Sequence, residues 1–498
     1  MDSKAPFSWF AAHGGICDTS ALGLREFEGY GQGAVALRSL SEGHVLFSIP
    51  RDLTLSTRTS ALPTLLGQTE WQKTDLHRGW AGLILCMMWE EAQGSLSKWS
   101  DYLASLPASF DTPMFWSEED LLELKGTSVV EKIGKDAAEK DYREKVVPVL
   151  EGRPDIFGHQ PPSRYYSLKN YHLMGSRILS RSFNVEKWDG EDDEDSKEQH
   201  STDMDVDEDP SAQKPDPEQF EEAQETSLVD DDDSDDEGED ADSSDVAMVP
   251  MADMLNARYG SENAKLFYEK HELRMVTTKA IAEGEQIWNT YGDPPNSHLL
   301  RCYGHIDLIP LPGGIQGNPA DIVELRADLL VQSVSQLYAA GADRSPTERV
   351  DWWLEEGGED LFIIDTSYDV PDELISFARL LLMEAPEWIE AKSKRKLPKA
   401  KVDERVLTVA ADVLQKRIAE YPTTSEEDEI LLSERGVSQL SLNKRHSVIV
   451  RLGEKRILQN AMGKVQAKLG AARSGRSNKK RTADENGEHS RKKQKARR

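Results

Sequence analysis

The chain is poor in cysteine, and it lacks long apolar runs and closely spaced metal ligands. Each shortage removes a class of protein. Three cysteines, Cys17, Cys86 and Cys302, are scattered along 498 residues. They never fall at metal-ligand spacing, which argues against a zinc cluster and a disulfide framework and suits a reducing compartment. No apolar run reaches the roughly 18 residues that a membrane-spanning helix needs, so no span and no membrane partner are expected. The start carries Asp2 and Lys4 beside a short apolar stretch, and a secretory signal is not expected there.

Acid is abundant, but unevenly placed. The formal net charge is −30, of which residues 189–245 supply −26, while residues 471–498 carry +8. What remains is mildly acidic. The stretch 189–247 contains runs such as Asp230-Asp231-Asp232-Asp233 and almost no aromatic residues. It cannot bury enough apolar surface to offset the entropy of ordering it, so it reads as a disordered loop inside a domain. A long loop is tolerable there because closure cost grows only logarithmically with length.

Either side of that loop the sequence is patterned. Residues 25–58 hold short apolar runs, Ala34-Val35-Ala36-Leu37 and Val45-Leu46-Phe47-Ser48-Ile49, parted by the turn signal Ser41-Glu42-Gly43. Residues 80–104 and 171–183 have helical spacing, and Ser117 followed by three acids is an N-terminal helix signal. A second strand-rich block runs from 264 to 291. From about 318 the spacing is helical, over 319–340, 372–385, 404–420 and 438–469. The fold class expected is α+β, with a β-rich part carrying a helical insertion and an all-α C-terminal part.

Three segments carry chemistry. In Gly29-Tyr30-Gly31-Gln32-Gly33 the alternate glycines allow close approach of backbone to a ligand. The same residues also fit a plain turn before a strand. No helix follows, and no acid lies at ribose-binding distance, so a dinucleotide fold is disfavoured. In Val249 to Asn256, the polar Asp253 and Asn256 stand three apart in apolar surroundings and need partners if buried. A helix-capping pair would look the same. The third segment is Trp288-Asn289-Thr290-Tyr291-Gly292 with Leu299 to Gly304 behind it. Its tyrosines suit a narrow channel, yet they are equally ordinary core residues.

Taken together and in this order, the segments resemble the SET-domain lysine methyltransferases. The branch includes the plant Rubisco large-subunit and fungal ribosomal lysine methyltransferases, and the subfamily indicated is that of SET domain-containing protein 6. Further matches are Leu106-Pro107 with Phe115-Trp116-Ser117-Glu118-Glu119, Ser180-Arg181-Ser182-Phe183, Ala-Asp-x-x-Asn at 252–256 and Asn-Thr-Tyr-Gly at 289–292.

The resemblance implies a SET domain of small pseudoknotted sheets over 20–305, with a helical insertion at about 60–180 and the acidic loop inside it. A helical Rubisco-methyltransferase-like substrate-binding domain would follow over 318–462, then a disordered basic tail over 471–498. It implies methyl transfer from S-adenosyl-L-methionine, without a metal, to a lysine of a protein, most plausibly a basic ribosomal protein. Tyr291 would be catalytic. Tyr30, Gly31, Gln32, Gly33, Arg181, Asp253, Asn256, Ala257 and Tyr303 would hold the cofactor, with Arg181 suited to a carboxylate. Trp116 and Asn184 would line the substrate side. Many relatives have Asn-His where this chain has Asn256-Ala257, so a side-chain contribution is missing there. A rival reading is a catalytically idle nuclear binding module, or an acidic chaperone for basic proteins, on the same scaffold.

Two basic clusters, Lys479-Lys480-Arg481 and Arg491-Lys492-Lys493-Gln494-Lys495, stand nine residues apart. This is the spacing of a bipartite nuclear signal, so a nuclear import receptor and a nuclear location are expected. No specific nucleic-acid partner is expected.

Overall fold

The computed structural model describes residues 5–27, 30–186, 244–338 and 346–495. The chain divides into two compact units. The first comprises Met1–Phe115, Lys132–Pro294 and Arg301–His305; the second comprises Trp116–Glu131, Pro295–Leu300 and Ile306–Arg498.

The first unit is built on short antiparallel strands: β1 (Ile16–Cys17), β2 (Leu22–Phe27), β3 (Gly31–Ala36), β4 (Val45–Pro50), β5 (Ser182–Glu186), β6 (Ser244–Met248), β7 (Ala264–Tyr268) and β8 (Glu272–Thr277). A four-stranded sheet has the order β1-β4-β8-β7, while β2 pairs with β3 and β5 with β6. In β8, Leu273, Met275 and Thr277 are buried and alternate with half-buried neighbours, the period of a strand with one face on a core. In the same unit the helix Ala81–Gln93 packs mainly on other helices, chiefly Leu168–Arg181, with most of its residues buried, as expected of a largely apolar helix. Its buried charged residue, Glu90, accepts hydrogen bonds from Ser60 Oγ at 2.8 Å and Ser97 Oγ at 2.7 Å.

The pair β5–β6 brackets the acidic stretch, with Ser182 opposite Met248 and Asn184 opposite Val246. Residues 187–243 lie outside the described residues. The end of the expected loop is corrected from 247 to 243, because Ser244–Met248 gains a full ladder with β5. Both ends of the stretch are therefore held at one place, whatever lies between.

The second unit is mostly helical: Ala327–Leu337, Pro346–Glu355, Asp372–Leu382, Ala385–Lys394, Glu404–Ala419, Ser425–Leu431 and Leu442–Lys495. Apolar faces of these helices form one core that includes Leu330, Trp353, Phe377, Val413 and Leu458. The helical reading of 319–340 is corrected at its start. Val323–Arg326 is a strand paired with Leu361–Ile364, its buried Val323 and Leu325 alternating with Glu324 and Arg326. The backbone of the final helix continues to Lys495, across the segment expected as a disordered tail. That segment is rich in Lys and Arg, with some Ala, all strong helix formers.

Candidate active site

Four backbone segments of the first unit meet. Helix Leu168–Arg181 is started by the Ser167 side chain accepting from the Asn170 amide, and it ends on Arg181 just where β5 begins. A short 3-10 turn, Ala252–Met254, follows β6 and is entered through Met251 at φ +73°. This is a left-handed conformation that a methionine adopts only when its surroundings hold it there. The segment after that turn crosses the one that ends in Tyr291: Ala257 bridges Asn289 in parallel, and the Asn289 amide donates to the Asn256 carbonyl at 2.9 Å. Tyr291 is then followed by a turn with Gly292 at φ +76° and Asp293 at φ +46°.

On this frame the side chains converge. Arg181 Nη1 donates to the Asp253 carbonyl oxygen at 2.6 Å and stands 3.9 Å from its carboxylate. Tyr102 Oη donates to Asp253 Oδ2 at 2.9 Å. Tyr291 Oη lies 3.5 Å from the Leu255 carbonyl, and its ring stacks on Tyr303 with centroids 4.4 Å apart and planes 5° from parallel. The ring wall extends from Tyr303 to His305 (5.9 Å), from His305 to Tyr30 (5.8 Å) and from Tyr30 to Trp288 (5.3 Å).

Gly31 and Gly33 have different reasons to be glycine. Gly31 sits at φ +66°, where a Cβ costs conformational energy. Gly33 lies against side chains: a Cβ there would stand 2.4 Å from Asn256 Nδ2 and 2.7 Å from Gln286 Nε2. Asn256 Nδ2 also approaches the Gln32 carbonyl at 3.4 Å.

Several polar atoms here are buried and lack a hydrogen-bond partner among the described residues: Arg181 Nε, Asp253 Oδ1 and Gln286 Nε2. Burial pushes the Asp253 carboxyl up to about 6, against the opposing pull of Arg181 and the Tyr102 hydrogen bond. Burial likewise pushes the Tyr291 phenol up to about 12, so it keeps its proton at neutral pH. Underused donors beside a glycine cradle suit a ligand with a carboxylate and an amine at one end, and the residues fit the amino-acid end of S-adenosyl-L-methionine.

The site residues expected from sequence thus mostly come together: Tyr30 to Gly33, Arg181, Asp253, Asn256, Ala257, Tyr291 and Tyr303 are linked by the contacts above. At Ala257 the parallel bridge is made by backbone, which alanine supplies as well as histidine. Asn184 is half-buried on β5, three residues beyond Arg181 at the helix end. Trp116 falls in the second unit, buried in a small cluster with Leu124, Val129, Leu300 and Val450. There its ring serves packing. Tyr102, Gln286, Trp288 and His305 were not singled out from sequence as site residues. The second unit has a separate cavity of about 480 Å³. Arg417 on its lining is held by the Gly126 and Glu324 carbonyls at 2.7 and 3.1 Å and by Glu420 at 3.2 Å, so that cation is already satisfied.

Residues 323–458 match the family described as Rubisco LSMT substrate-binding. Human N-lysine methyltransferase SETD6 is 29% identical over 458 residues, covering 87% of this chain and 84% of the relative. Ribosomal lysine N-methyltransferase 4 of Saccharomyces cerevisiae is 27% identical over 316 residues, covering 63% of this chain and 55% of the relative. The chain is thus similar over most of its length to N-lysine methyltransferases, and its C-terminal part matches the Rubisco LSMT substrate-binding family. Its fold is also that of the SET domain of LSMT solved with lysine and AdoHcy, at a TM-score of 0.63 and 18% identity, covering 94% of this chain and 91% of that one. Rubisco LSMT bound to AdoMet superposes with a TM-score of 0.62 at 18% identity.

Proposed function

We propose that the centre around Tyr291 transfers methyl groups from S-adenosyl-L-methionine to a lysine of a basic ribosomal protein. The observation that carries this reading is the stacked Tyr291–Tyr303 pair beside the Arg181–Asp253–Asn256 cluster and the Gly31–Gly33 backbone. When bound, the cofactor supplies a methyl group on a sulfonium, which leaves without metal assistance.

The protein's own part is positioning and exclusion of water. Arg181 offers a guanidinium to the cofactor carboxylate, Asn256 an amide to its amino-acid end, and Gly31 to Gly33 a backbone edge. Tyr291 keeps its proton and so does not serve as the base; its hydroxyl oxygen is placed to accept from the lysine amine and fix the direction of its lone pair. The substrate amine must arrive neutral. A wall of rings from Tyr291 to Trp288 favours that, because poor solvation penalises the ammonium form.

Three things support the finer reading. The human and yeast relatives are named for lysine methylation, the yeast one for a ribosomal target. The acidic stretch between β5 and β6 complements a basic substrate. The paired basic clusters after residue 478 support import into the nucleus, where a receptor would read them.

The test is label transfer from S-adenosylmethionine to purified ribosomal proteins. Wild type should label a lysine, and Tyr291→Phe should cut the rate on the order of 100-fold with cofactor affinity retained. A wild type that binds cofactor but labels no acceptor would instead favour an idle binding module on the same scaffold.

A further inference from the structure

Helix Ser100–Ser105 has no motif of its own and none of the residues assigned above. Yet one of its side chains reaches into the centre. Tyr102 is 3% exposed, its ring stacks on Trp9 at 5.9 Å, and its hydroxyl donates to Asp253 Oδ2 at 2.9 Å. We propose that Tyr102 is a positioning residue for methyl transfer: it clamps the Asp253 carboxylate and so holds the 251–256 turn that presents Arg181, Tyr291 and Asn256. The proposal rests on the reading of the site given above.

The turn needs such a clamp. It is entered through a left-handed methionine, a conformation that costs about 1–2 kcal/mol and persists only when neighbours over-determine it. Its successive residues are all in use. The Asp253 carbonyl takes Arg181, the Leu255 carbonyl is placed for Tyr291, and the Asn256 carbonyl takes the Asn289 amide. A shift of this turn therefore moves the cofactor-side guanidinium and the catalytic phenol together. Backbone bonds inside the turn run from the Asp253 and Leu255 amides to Val249 and Ala252, so they fix its shape but not its place. Among the described residues, the side chain that hydrogen-bonds the Asp253 carboxylate is Tyr102.

The charged and titratable groups facing Asp253 are few. Arg181 is 3.9 Å away. Tyr102 donates to it, Tyr291 interacts with it electrostatically, and Arg177 acts electrostatically on Tyr102. Arg177 is itself engaged by the Pro107 carbonyl at 3.1 Å and Glu91 at 3.4 Å. The Tyr102 hydrogen bond favours the ionised carboxyl, while burial opposes it. Removing the hydroxyl must therefore raise the pH at which Asp253 protonates.

The experiment measures S-adenosylhomocysteine affinity from pH 5 to 8 in the full-length protein, for wild type, Tyr102→Phe, Asp253→Asn and the double variant. Wild type should lose affinity as pH falls through about 6, where Asp253 takes up its proton and its hold on Arg181 weakens. Tyr102→Phe should weaken binding about tenfold at pH 8 and move that fall toward neutral pH. Asp253→Asn should have no such fall, and adding Tyr102→Phe to it should change little, since the two act as one unit. A purely structural tyrosine would lower thermal stability without moving the pH profile. An unshifted profile, or losses that add in the double variant, would overturn the proposal. A wild type with no affinity at any pH would overturn the reading of the site itself.

Discussion

Asp253 and Asp428 are both buried carboxylates facing an arginine, one in each unit, and their surroundings treat them in opposite ways. Asp428 is enclosed by Arg451, whose Nε and Nη2 donate at 2.9 and 2.7 Å, by Lys455 Nζ at 2.7 Å and by Thr423 Oγ1 at 3.0 Å. Burial alone would raise its pKa, but those cations outweigh it and hold the carboxyl below its ordinary range. Asp253 has one phenol hydrogen bond, an arginine at 3.9 Å and an oxygen with no partner among the described residues. There burial wins, and the carboxyl rises to about 6. A saturated cluster locks helices together; an unsaturated one keeps donors and acceptors available for something else.

The contrast breaks most visibly at Asp428. Asp428→Ala removes the shared carboxylate from two buried cations, each about 1% exposed: Arg451 keeps only Glu123, at 3.1 Å, and Lys455 loses its carboxylate partner, so the change should cost about 3–5 kcal/mol in chemical denaturation. Affinity for S-adenosylhomocysteine should be unchanged below the transition. A loss of affinity with stability intact would deny the division between the two clusters. Smaller is the effect of Gly33→Ala. The new Cβ pushes on the side-chain amides of Asn256 and Gln286, both far ends that can swing, so the stability cost should be about 1–3 kcal/mol. Cofactor affinity should fall with it if Asn256 holds the cofactor as proposed. Unchanged affinity would remove Asn256 from that role.

How much of this was legible in sequence follows from how far each signal reaches. The glycines at 31 and 33, Asp253 with Asn256, and Tyr291 lie in short segments whose residue types betray close approach or buried polarity. Even so, each segment alone fitted a turn, a cap or a core, and only their order along the chain joined them. Tyr102 gave no signal: it sits in a helix 151 residues from Asp253, and nothing local records a long-range hydrogen bond. Gln286 lies in a strand-like run where a polar residue passes for a solvent-facing one, yet it is 8% exposed. Trp116, whose motif neighbourhood points to the substrate side, packs in a small cluster of the second unit, a setting that its local sequence does not record. The strand Val323–Arg326 was hidden because its partner, Leu361–Ile364, lies beyond two intervening helices.

The proposed cofactor site is the unsaturated cluster of the first unit. Calorimetric titration of S-adenosylhomocysteine into wild type and Arg181→Ala tests it most directly. Expected are one binding site in wild type, an affinity weakened about 10- to 100-fold in the variant by loss of a charged hydrogen bond, and closely similar unfolding curves. Equal affinities in two well-folded proteins would contradict it.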